Sequence, residues 1–239
     1  IILMMDLGDI REGYVDEEEL IAAAVETEKL SHVDLYGIGT NLTCFSFIQA
    51  DEEKMERLAE MRRKVENAAG HTLEIVSGGN SAALDLMMRG GICEGVDSFR
   101  LGESLLFGKE RSRYTFLPGT RNDGFILECE VVEAKVKPSL PWGTEGVDSY
   151  GRKPVFTDRG EKRKKVICAI GRQDFDAETT TPVDEGILIL GASSDHLMLD
   201  VTDSVKEYKV GDIVELRLGY FSVLRAFTSP YVEKIFLKK

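Results

Sequence analysis

The sequence predicts an α/β region followed by an antiparallel β region. In residues 1–108, apolar strand-like runs alternate with segments whose apolar residues have the three-and-four spacing of a helix. Strands recurring at ~30-residue intervals with helices between them indicate parallel βα units. From residue 109, short alternating segments are separated by Gly, Pro, Asp and Asn turns, which is typical of antiparallel strands. We therefore predict two domains, 1–108 and 109–239.

The elements of the first region follow in order. Acidic residues crowd the first turn of two predicted helices, where they complement the helix dipole. Four parallel βα units fit either an open sheet or half of a closed eight-stranded barrel. Because the sequence begins at Ile1, inside a strand, we favour the half-barrel and expect the other half to precede Ile1. The predicted strands are 1–7, 33–39, 72–78 and 98–102, and the predicted helices are 16–30, 51–70 and 81–91.

Composition limits the classes of partner. The net charge of -12 argues against nucleic-acid or anionic-membrane binding, since phosphate surfaces repel such a chain. No apolar run reaches the ~18 residues of a membrane span, and the start lacks the order of a signal peptide. The four cysteines have no metal-binding spacing, so we expect reduced thiols, no metal site and a cytoplasmic protein.

Candidate site residues follow the predicted strands at their C-terminal ends, where parallel α/β folds build their sites. Glycines in these turns let backbone N–H groups approach a ligand, and two adjacent turns of this kind suit one phosphate. An arginine there can donate to a heteroaromatic nitrogen without losing its proton. Taken singly, each turn also fits plain βα geometry. The candidates are Arg11, Thr40, Asn41, Ser77, Asn80, Ser81, Arg100, Gly102 and Glu103.

Four segments together resemble one enzyme family. "MMDLGDIREG", "GIGTNLTCF", "SGGNSAALDL" and "FRLGESLLFG" are similar to the C-terminal half of the TIM-type barrel of fold-type III pyridoxal-phosphate enzymes, the alanine racemase class. Within this class, the ornithine racemase-like branch is closest. The later stretch "GILILGASSDHLMLDVTDSVKEYKVGDIVEL" resembles the β domain of the same class. The resemblance runs from residue 1 to about residue 236.

The resemblance implies pyridoxal 5'-phosphate as cofactor and assigns roles in its binding. Ser77, Asn80 and Ser81, with the backbone of Gly102 and Glu103, would hold the cofactor phosphate. Arg100 would face the pyridine nitrogen, and Thr40 or Asn41 would lie beside the ring. Arg11 would lie near the substrate carboxylate. The Schiff-base lysine of this class sits on the first barrel strand, which we expect in a segment absent from this chain.

The residues expected to face the Schiff-base lysine across the substrate depart from the family pattern. Alanine racemases carry a Tyr base in "GYADG", whereas Arg172 stands at the matching place here, and a guanidinium is a poor base. His196 offers an alternative proton carrier, although a turn histidine of no catalytic importance fits the sequence equally well. Ser194 and Asp195 occupy the place of a Cys-Asp pair in related decarboxylases. There the Asp reaches the distal amine of ornithine, which implies a cationic substrate here.

Further candidates are weaker. Asp174 and Asp176 are second choices for the amine contact and fit surface turns better. Tyr231 is placed near the phosphate by the resemblance, with an alignment that slips by one residue. Trp142 and Tyr150 lie in a long loop that is either a lid or a surface excursion.

The predicted function is a racemase of a cationic amino acid, with ornithine first. The alternatives are a basic amino-acid decarboxylase and a non-catalytic pyridoxal-phosphate-binding protein. The resemblance implies a homodimer with shared active sites, in which Arg172, Asp195 and His196 complete the pocket of the neighbouring subunit together with the N-terminal half-barrel.

Overall fold

The computed structural model describes residues 1–148 and 151–238, and Tyr150 lies outside the described residues. The chain forms two compact units, Ile1–Asn122 and Asp123–Lys239, called here the N-terminal and C-terminal units. The division falls later than residue 108. The intervening segment hydrogen-bonds back onto Gly108, whose carbonyl accepts from Leu117 N at 2.7 Å and from Thr120 Oγ1 at 3.1 Å. These contacts keep residues 109–122 with the N-terminal unit.

The N-terminal unit is a four-stranded parallel sheet with helices between its strands. The strands lie in the order β1-β2-β3-β4, each beside its sequence neighbour. Four parallel strands in sequence order are common to an open sheet and to half a barrel, so the half-barrel stays a prediction. The strands are β1 (Ile2–Met4), β2 (Gly37–Gly39), β3 (Ile75–Asn80) and β4 (Ser98–Arg100). The helices are α1 (Glu17–Thr27), α2 (Glu52–Ala69), α3 (Leu84–Met88) and α4 (Glu103–Phe107).

Side-chain caps set the helix ends. The Asp16 carboxylate accepts from Glu18 N and Glu19 N, and Asp51 accepts from Lys54 N at 2.9 Å, so α1 and α2 begin where the acidic clusters predict. Gly70 ends α2 in the left-handed conformation, with φ of +80°. The predicted helix 81–91 is shorter in the structure. It starts as a 3₁₀ turn over Ser81–Ala83 and continues as α3.

The core of the N-terminal unit lies between the sheet and its helices. One face of α2 is buried, and the apolar side chains of β2 and β3 lie against the same cluster. This arrangement buries the inner stripe of each helix and leaves the strand tips free to carry polar groups. The fully buried members include Met5, Leu20, Ile38, Met55, Leu58, Met61, Val65 and Val76.

The C-terminal unit contains a six-stranded sheet in the order β7-β10-β5-β6-β9-β8, and neighbouring strands in this sheet are antiparallel. Alternating side chains of its central strands form a second core, as the period-two pattern predicted. The short strand β7 and the helix α5 were not predicted. The elements are β5 (Ile126–Lys137), β6 (Arg163–Cys168), β7 (Thr180–Pro182), β8 (Leu188–Ala192), β9 (Leu197–Asp200), β10 (Ile213–Leu218) and α5 (Tyr220–Thr228).

Two smaller expectations concern exposed features. Trp142 is 85% exposed, which fits a surface excursion. Across the part of the chain that the structure describes, none of the helices has the length and apolarity needed to cross a bilayer.

Candidate active site

The strand tips of the N-terminal unit bring most of the candidate residues together. Because β1 to β4 are parallel, the turns that follow them meet at one edge of the sheet. Hydrogen bonds link these turns across about 20 to 60 residues of sequence. We call this set the strand-tip cluster: Thr40, Asn41, Ser77, Asn80, Ser81, Arg100 and Gly102.

Arg100 is held by two neighbouring strands. Its Nη1 donates to Ser77 Oγ, and its Nη2 donates to the carbonyl oxygen of Thr40 at 2.9 Å. Partial removal of water lowers the pKa of Arg100, with the nearby charge of Glu12 acting in the opposite direction. An arginine remains protonated at neutral pH even so. The strand-tip cluster therefore contains a fixed, permanently charged guanidinium.

Asn80 ties the tip of β3 to the loop that follows β2. Its Nδ2 donates to Asn41 Oδ1 and to the carbonyl oxygen of Leu42, both at 2.9 Å, and to Cys44 Sγ at 3.3 Å. Its Oδ1 accepts from Ala82 N at 2.7 Å and so caps the following 3₁₀ turn. A bulge in the β3–β4 pairing lies between Ser77 and Asn80, where Gly79 has a φ of +121°. Asn80 thus has a structural task besides any contact with a ligand.

Ser81 lies beside the backbone that follows β4. Its Oγ is 3.3 Å from Gly102 N, 3.2 Å from Ser104 N and 3.0 Å from Ser104 Oγ. A Cβ placed on Gly102 would meet no atom within 4 Å, so the space beside this backbone is open. The hydrogen bonds of Ser81 thus bring the two glycine-bearing turns side by side.

Two buried polar atoms of the cluster have no partner within the described residues. Thr40 is fully buried and Asn41 is 7% exposed, yet neither Thr40 Oγ1 nor Asn41 Nδ2 has a hydrogen-bond partner there. A buried donor without a partner costs about 1–3 kcal/mol, so native proteins rarely retain one without a use. Both atoms are also closed to solvent, so a ligand at this edge of the sheet would reach them only after the surrounding side chains move.

Arg11 and Glu103 lie at the rim. The Arg11 guanidinium forms a two-pronged ion pair with Glu12, and this hydrogen bonding raises the pKa of Arg11 and lowers that of Glu12. Burial raises the pKa of Glu103, whose carboxylate is 3.5 Å from Arg111 Nε. Arg11 is therefore partnered by a carboxylate in this structure.

The C-terminal unit brings the second group of candidates together from two neighbouring loops. Asp195 Oδ1 is 3.0 Å from His196 Nδ1 and accepts from Ser194 Oγ at 3.1 Å. The hydrogen bond from His196 lowers the pKa of Asp195. Arg172 Nε donates to the carbonyl oxygen of Ala192 at 2.8 Å, and the adjacent Gly171 packs against the backbone of Ser194 and Asp195. Arg172, Ser194, Asp195 and His196 thus form an exposed polar group within this unit.

Three further candidates have plainer surroundings. Asp174 is only 4% exposed and accepts from Ser229 Oγ at 2.6 Å, so the expectation of a surface turn residue is wrong for it. Asp176 accepts from Thr179 N at 3.0 Å and caps a 3₁₀ turn. The Tyr231 side chain is 79% exposed, and its contact with a phosphate stays a prediction.

Sequence reasoning missed three residues that shape the strand-tip cluster. Asp9 is 1% exposed and accepts N–H groups from the loop after β2, Glu12 pairs with Arg11, and Ser104 contacts Ser81. The partners of Asp9 lie 35 to 37 residues away, so no local pattern could indicate them. A Glu directly after Arg11 was the only visible signal.

The parallel sheet with polar strand tips, followed by an antiparallel β unit, defines a known class. Residues 1–110 match the family described as "Alanine racemase, N-terminal domain". This part of the chain belongs to that family, as the sequence predicted.

Two curated relatives place the chain more narrowly. It is 45% identical to the ornithine racemase of Acetoanaerobium sticklandii over 98% of the chain and 66% of that protein. It is 43% identical to the lysine racemase of Thermotoga maritima over 99% of the chain and 65% of that protein. The chain thus spans just under two thirds of the length of these relatives.

A solved structure supports the fold. The alanine racemase of Bartonella henselae, solved with covalently bound pyridoxal phosphate, is 21% identical and superimposes with a TM-score of 0.54 over 90% of this chain and 56% of that one. At this identity the likeness concerns the fold alone.

Proposed function

We propose that the protein is a pyridoxal-phosphate-dependent racemase of a cationic amino acid, with ornithine as the first substrate and lysine as the second. The observation that carries the proposal is the strand-tip cluster with its two buried, unpartnered polar atoms, found in a chain similar to ornithine and lysine racemases. The half-barrel arrangement and the cytoplasmic location remain parts of this proposal.

The residues present fit the cofactor. The open backbone at Gly102 and the hydroxyl of Ser81 would bind its phosphate, while Thr40 Oγ1 and Asn41 Nδ2 would gain the partners that they lack. Arg100, oriented by Ser77 and Thr40, would face the pyridine nitrogen and donate to it. When bound, pyridoxal phosphate acts as an electron sink that acidifies the Cα proton of an amino acid.

Arg11 would bind the substrate α-carboxylate. Glu12 now occupies the edge of the guanidinium formed by Nε and Nη2, so a substrate carboxylate would have to displace or share that contact or bind at Nη1. A guanidinium suits this role because its planar fork matches a carboxylate. Arg11 and Arg100 together would fix the amino acid at its carboxylate end and the cofactor at its ring.

His196 would be the second proton carrier. If its Nδ1–H donates to Asp195, the imidazole is held in one orientation and Nε2 is left to exchange a proton with Cα. This Asp–His pairing follows the usual arrangement of a base and the group that orients it. Arg172 would contribute positive charge beside the substrate and not proton transfer.

Asp195 would select a diamino acid. Ser193, Ser194 and His196 all bond to Oδ1 of Asp195 and leave Oδ2 without a partner among the described residues. The side chain is 59% exposed. Oδ2 would accept the distal ammonium group of ornithine or lysine. We propose, as the resemblance implies, that this loop completes the site of a partner subunit in a homodimer.

The test uses the full-length protein. The purified protein is incubated with pyridoxal phosphate and then with L-ornithine, L-lysine or L-alanine, while optical rotation and CO₂ release are measured. Loss of rotation without gas supports racemisation, gas supports a decarboxylase, and cofactor binding with neither supports a non-catalytic binding protein.

Two variants test the specificity and the shared site. Asp195→Ala is expected to impair turnover of ornithine far more than that of alanine, and equal losses would remove the assigned role. Mixing the Arg100→Ala and Asp195→Ala proteins, each impaired with ornithine, is expected to restore part of the activity on ornithine if subunits share sites. A mixture that stays inactive after subunit exchange argues for sites built from one chain.

A further inference from the structure

Asp9 is a buried carboxylate that joins the β1–α1 loop to the β2–α2 loop, which carries Thr40 and Asn41 of the strand-tip cluster. It lies in the β1–α1 loop, residues 5–16, and is 1% exposed. Its side chain accepts three consecutive N–H groups from the β2–α2 loop, residues 40–51: Cys44 at 3.2 Å, Phe45 at 3.1 Å and Ser46 at 3.0 Å. Ser46 Oγ also donates to the carbonyl oxygen of Asp9 at 2.8 Å. Four hydrogen bonds therefore connect the two loops at this one residue.

Among the described residues no cation forms an ion pair with Asp9, so these hydrogen bonds are what compensates its buried negative charge. Hydrogen bonds from N–H groups to a carboxylate are stronger than those between neutral groups, and a buried carboxylate without them is costly. The loop N–H groups would in turn lose their acceptor if Asp9 were removed. Each side of the junction thus depends on the other.

The joined loops carry residues with different proposed tasks. Arg11 follows Asp9 by two residues, while Thr40 and Asn41 open the other loop. Asn80 holds that second loop from the opposite side, through Asn41 Oδ1 and the carbonyl oxygen of Leu42. The second loop is therefore fixed between Asp9 and Asn80.

Backbone conformations indicate that this junction is imposed by tertiary contacts. Ile10, Thr43 and Phe47 have φ values of +54°, +70° and +58°. Branched and aromatic residues adopt this left-handed region only at a cost, so the surrounding contacts must hold them there. The Asp9 hydrogen bonds lie among these three residues and are suited to that task.

We propose that Asp9 is a positioning residue that locks the loop carrying Arg11 to the loop carrying Thr40 and Asn41. It touches neither substrate nor cofactor, and it aligns the group that binds the carboxylate with the groups beside the cofactor ring. This inference rests on the proposed function for the identity of the two ligands. The junction itself rests on the structure alone.

The experiment compares Asp9→Asn with Asp97→Asn in the protein as its gene encodes it. Asp97 serves as the control because its Oδ1 also accepts a distant backbone N–H, that of Val76 at 2.8 Å, but it stands at the amino end of β4, opposite the site. Unlike Asp9 it is also 3.4 Å from Arg62 Nη1 and its side chain is 43% exposed. Three quantities are measured: hydrogen exchange of the amides of residues 44–46 without ligand, the dissociation constant for pyridoxal phosphate, and KM and kcat for ornithine.

Asp9→Asn is expected to speed exchange at 44–46 and to weaken cofactor affinity and raise KM by roughly tenfold or more, with kcat changed less, because no reacting group is lost. Asp97→Asn should change none of the three to that extent. Ser46→Ala, which removes one of the four bonds, provides a milder variant if Asp9→Asn does not fold, and is expected to shift the same quantities by roughly threefold. Added formate should restore cofactor affinity to Asp9→Ala by returning a carboxylate to the three N–H groups.

The outcomes separate this inference from the proposed function. Unchanged exchange at 44–46 in both Asp9→Asn and Ser46→Ala, or faster exchange with cofactor affinity and KM equal to those of Asp97→Asn, overturns the role of Asp9. A wild-type protein that binds the cofactor but racemises nothing refutes the proposed reaction and leaves the exchange and cofactor measurements to decide on Asp9. A wild-type protein that binds no cofactor refutes the proposed function and the alignment of ligand-binding groups by Asp9, and exchange at 44–46 then decides only whether Asp9 locks the two loops.

Discussion

The unpartnered hydroxyl of Thr40 allows a prediction in which stability and ligand binding change in opposite directions. Thr40 is fully buried, and its Oγ1 has no partner within the described residues. Thr40→Val replaces the hydroxyl by a methyl group of similar size and so removes an unsatisfied polar atom from the interior. Because an unsatisfied buried hydroxyl costs about 1–3 kcal/mol, the variant is expected to raise the free energy of unfolding by roughly 1–2 kcal/mol.

The same change should weaken cofactor binding. If Thr40 Oγ1 bonds to the bound ligand, its loss removes one hydrogen bond, and about 1.4 kcal/mol corresponds to a tenfold change in the dissociation constant. The two effects have the same origin, since the group that is unsatisfied without ligand is the group that the ligand would satisfy.

The assay pairs thermal unfolding without cofactor with a cofactor titration followed by absorbance. For a unit of about 120 residues, 1 kcal/mol corresponds to a shift in Tm of about 3–6 °C, which is easily measured. Thr27→Val is the matched control, because Thr27 is also buried but its Oγ1 donates to the carbonyl oxygen of Ala23 at 2.8 Å. The control should lose up to about 1 kcal/mol of stability and keep its cofactor affinity.

The result that refutes this reasoning is clear. If Thr40→Val destabilises the ligand-free protein as much as Thr27→Val does, the hydroxyl already has a partner. If cofactor affinity is unchanged, Thr40 does not contact the ligand and the assignment of the strand-tip cluster loses its main support.

Three further predictions concern other parts of the chain. Gly171→Ala places a Cβ 2.2 Å from Asp195 N, so urea unfolding should show a loss of at least ~1–3 kcal/mol, whereas Gly146→Ala, with open space around it, should be nearly neutral. Burial alone raises the pKa of Asp200, but hydrogen bonds from Arg163 and Thr202 outweigh it and lower that pKa. Because the folded pKa lies below the unfolded value of about 3.9, this stabilisation is complete well above pH 4 and is lost as pH falls through the folded pKa. The free energy of unfolding should therefore fall less steeply with decreasing pH in Asp200→Asn than in the wild type. An equally steep fall in the variant would contradict the assignment. Arg100→Lys keeps the charge but lacks the planar guanidinium that donates to Ser77 and Thr40 together. A cofactor titration should therefore show about tenfold weaker binding. Wild-type affinity in this variant would show that the guanidinium geometry is not required.

Much of the fold was predictable because it depends on local patterns. Apolar spacing located α1 and α2 to within three residues of each end, and their acidic caps are in the sequence itself. The pattern failed where tertiary contacts decide: α3 is a short helix after a 3₁₀ turn, and the segment predicted as a strand over 1–7 forms one only over Ile2–Met4. Helix α5 was missed because its exposed aromatic residues, such as Phe221 and Phe227, resemble a strand as much as a helix.

The sequence by itself determined which chemical groups are available and which strand ends carry them. Asn80 and Arg100 are the last residues of their strands, Ser77 lies three residues before the end of β3, and parallel βα connectivity brings those ends to one edge. Its similarity to a known class also indicated the cofactor that such groups suit.

Only the tertiary structure decided how these groups are held. The carboxylate of Asp9 meets N–H groups 35 to 37 residues away, Arg100 reaches back to Thr40 across 60 residues, and Thr40 Oγ1 is left without a partner in the described residues. Periodicity along a chain records which face of an element is buried. It does not record which distant donor meets which acceptor, because that depends on how the loops pack once the sheet has formed.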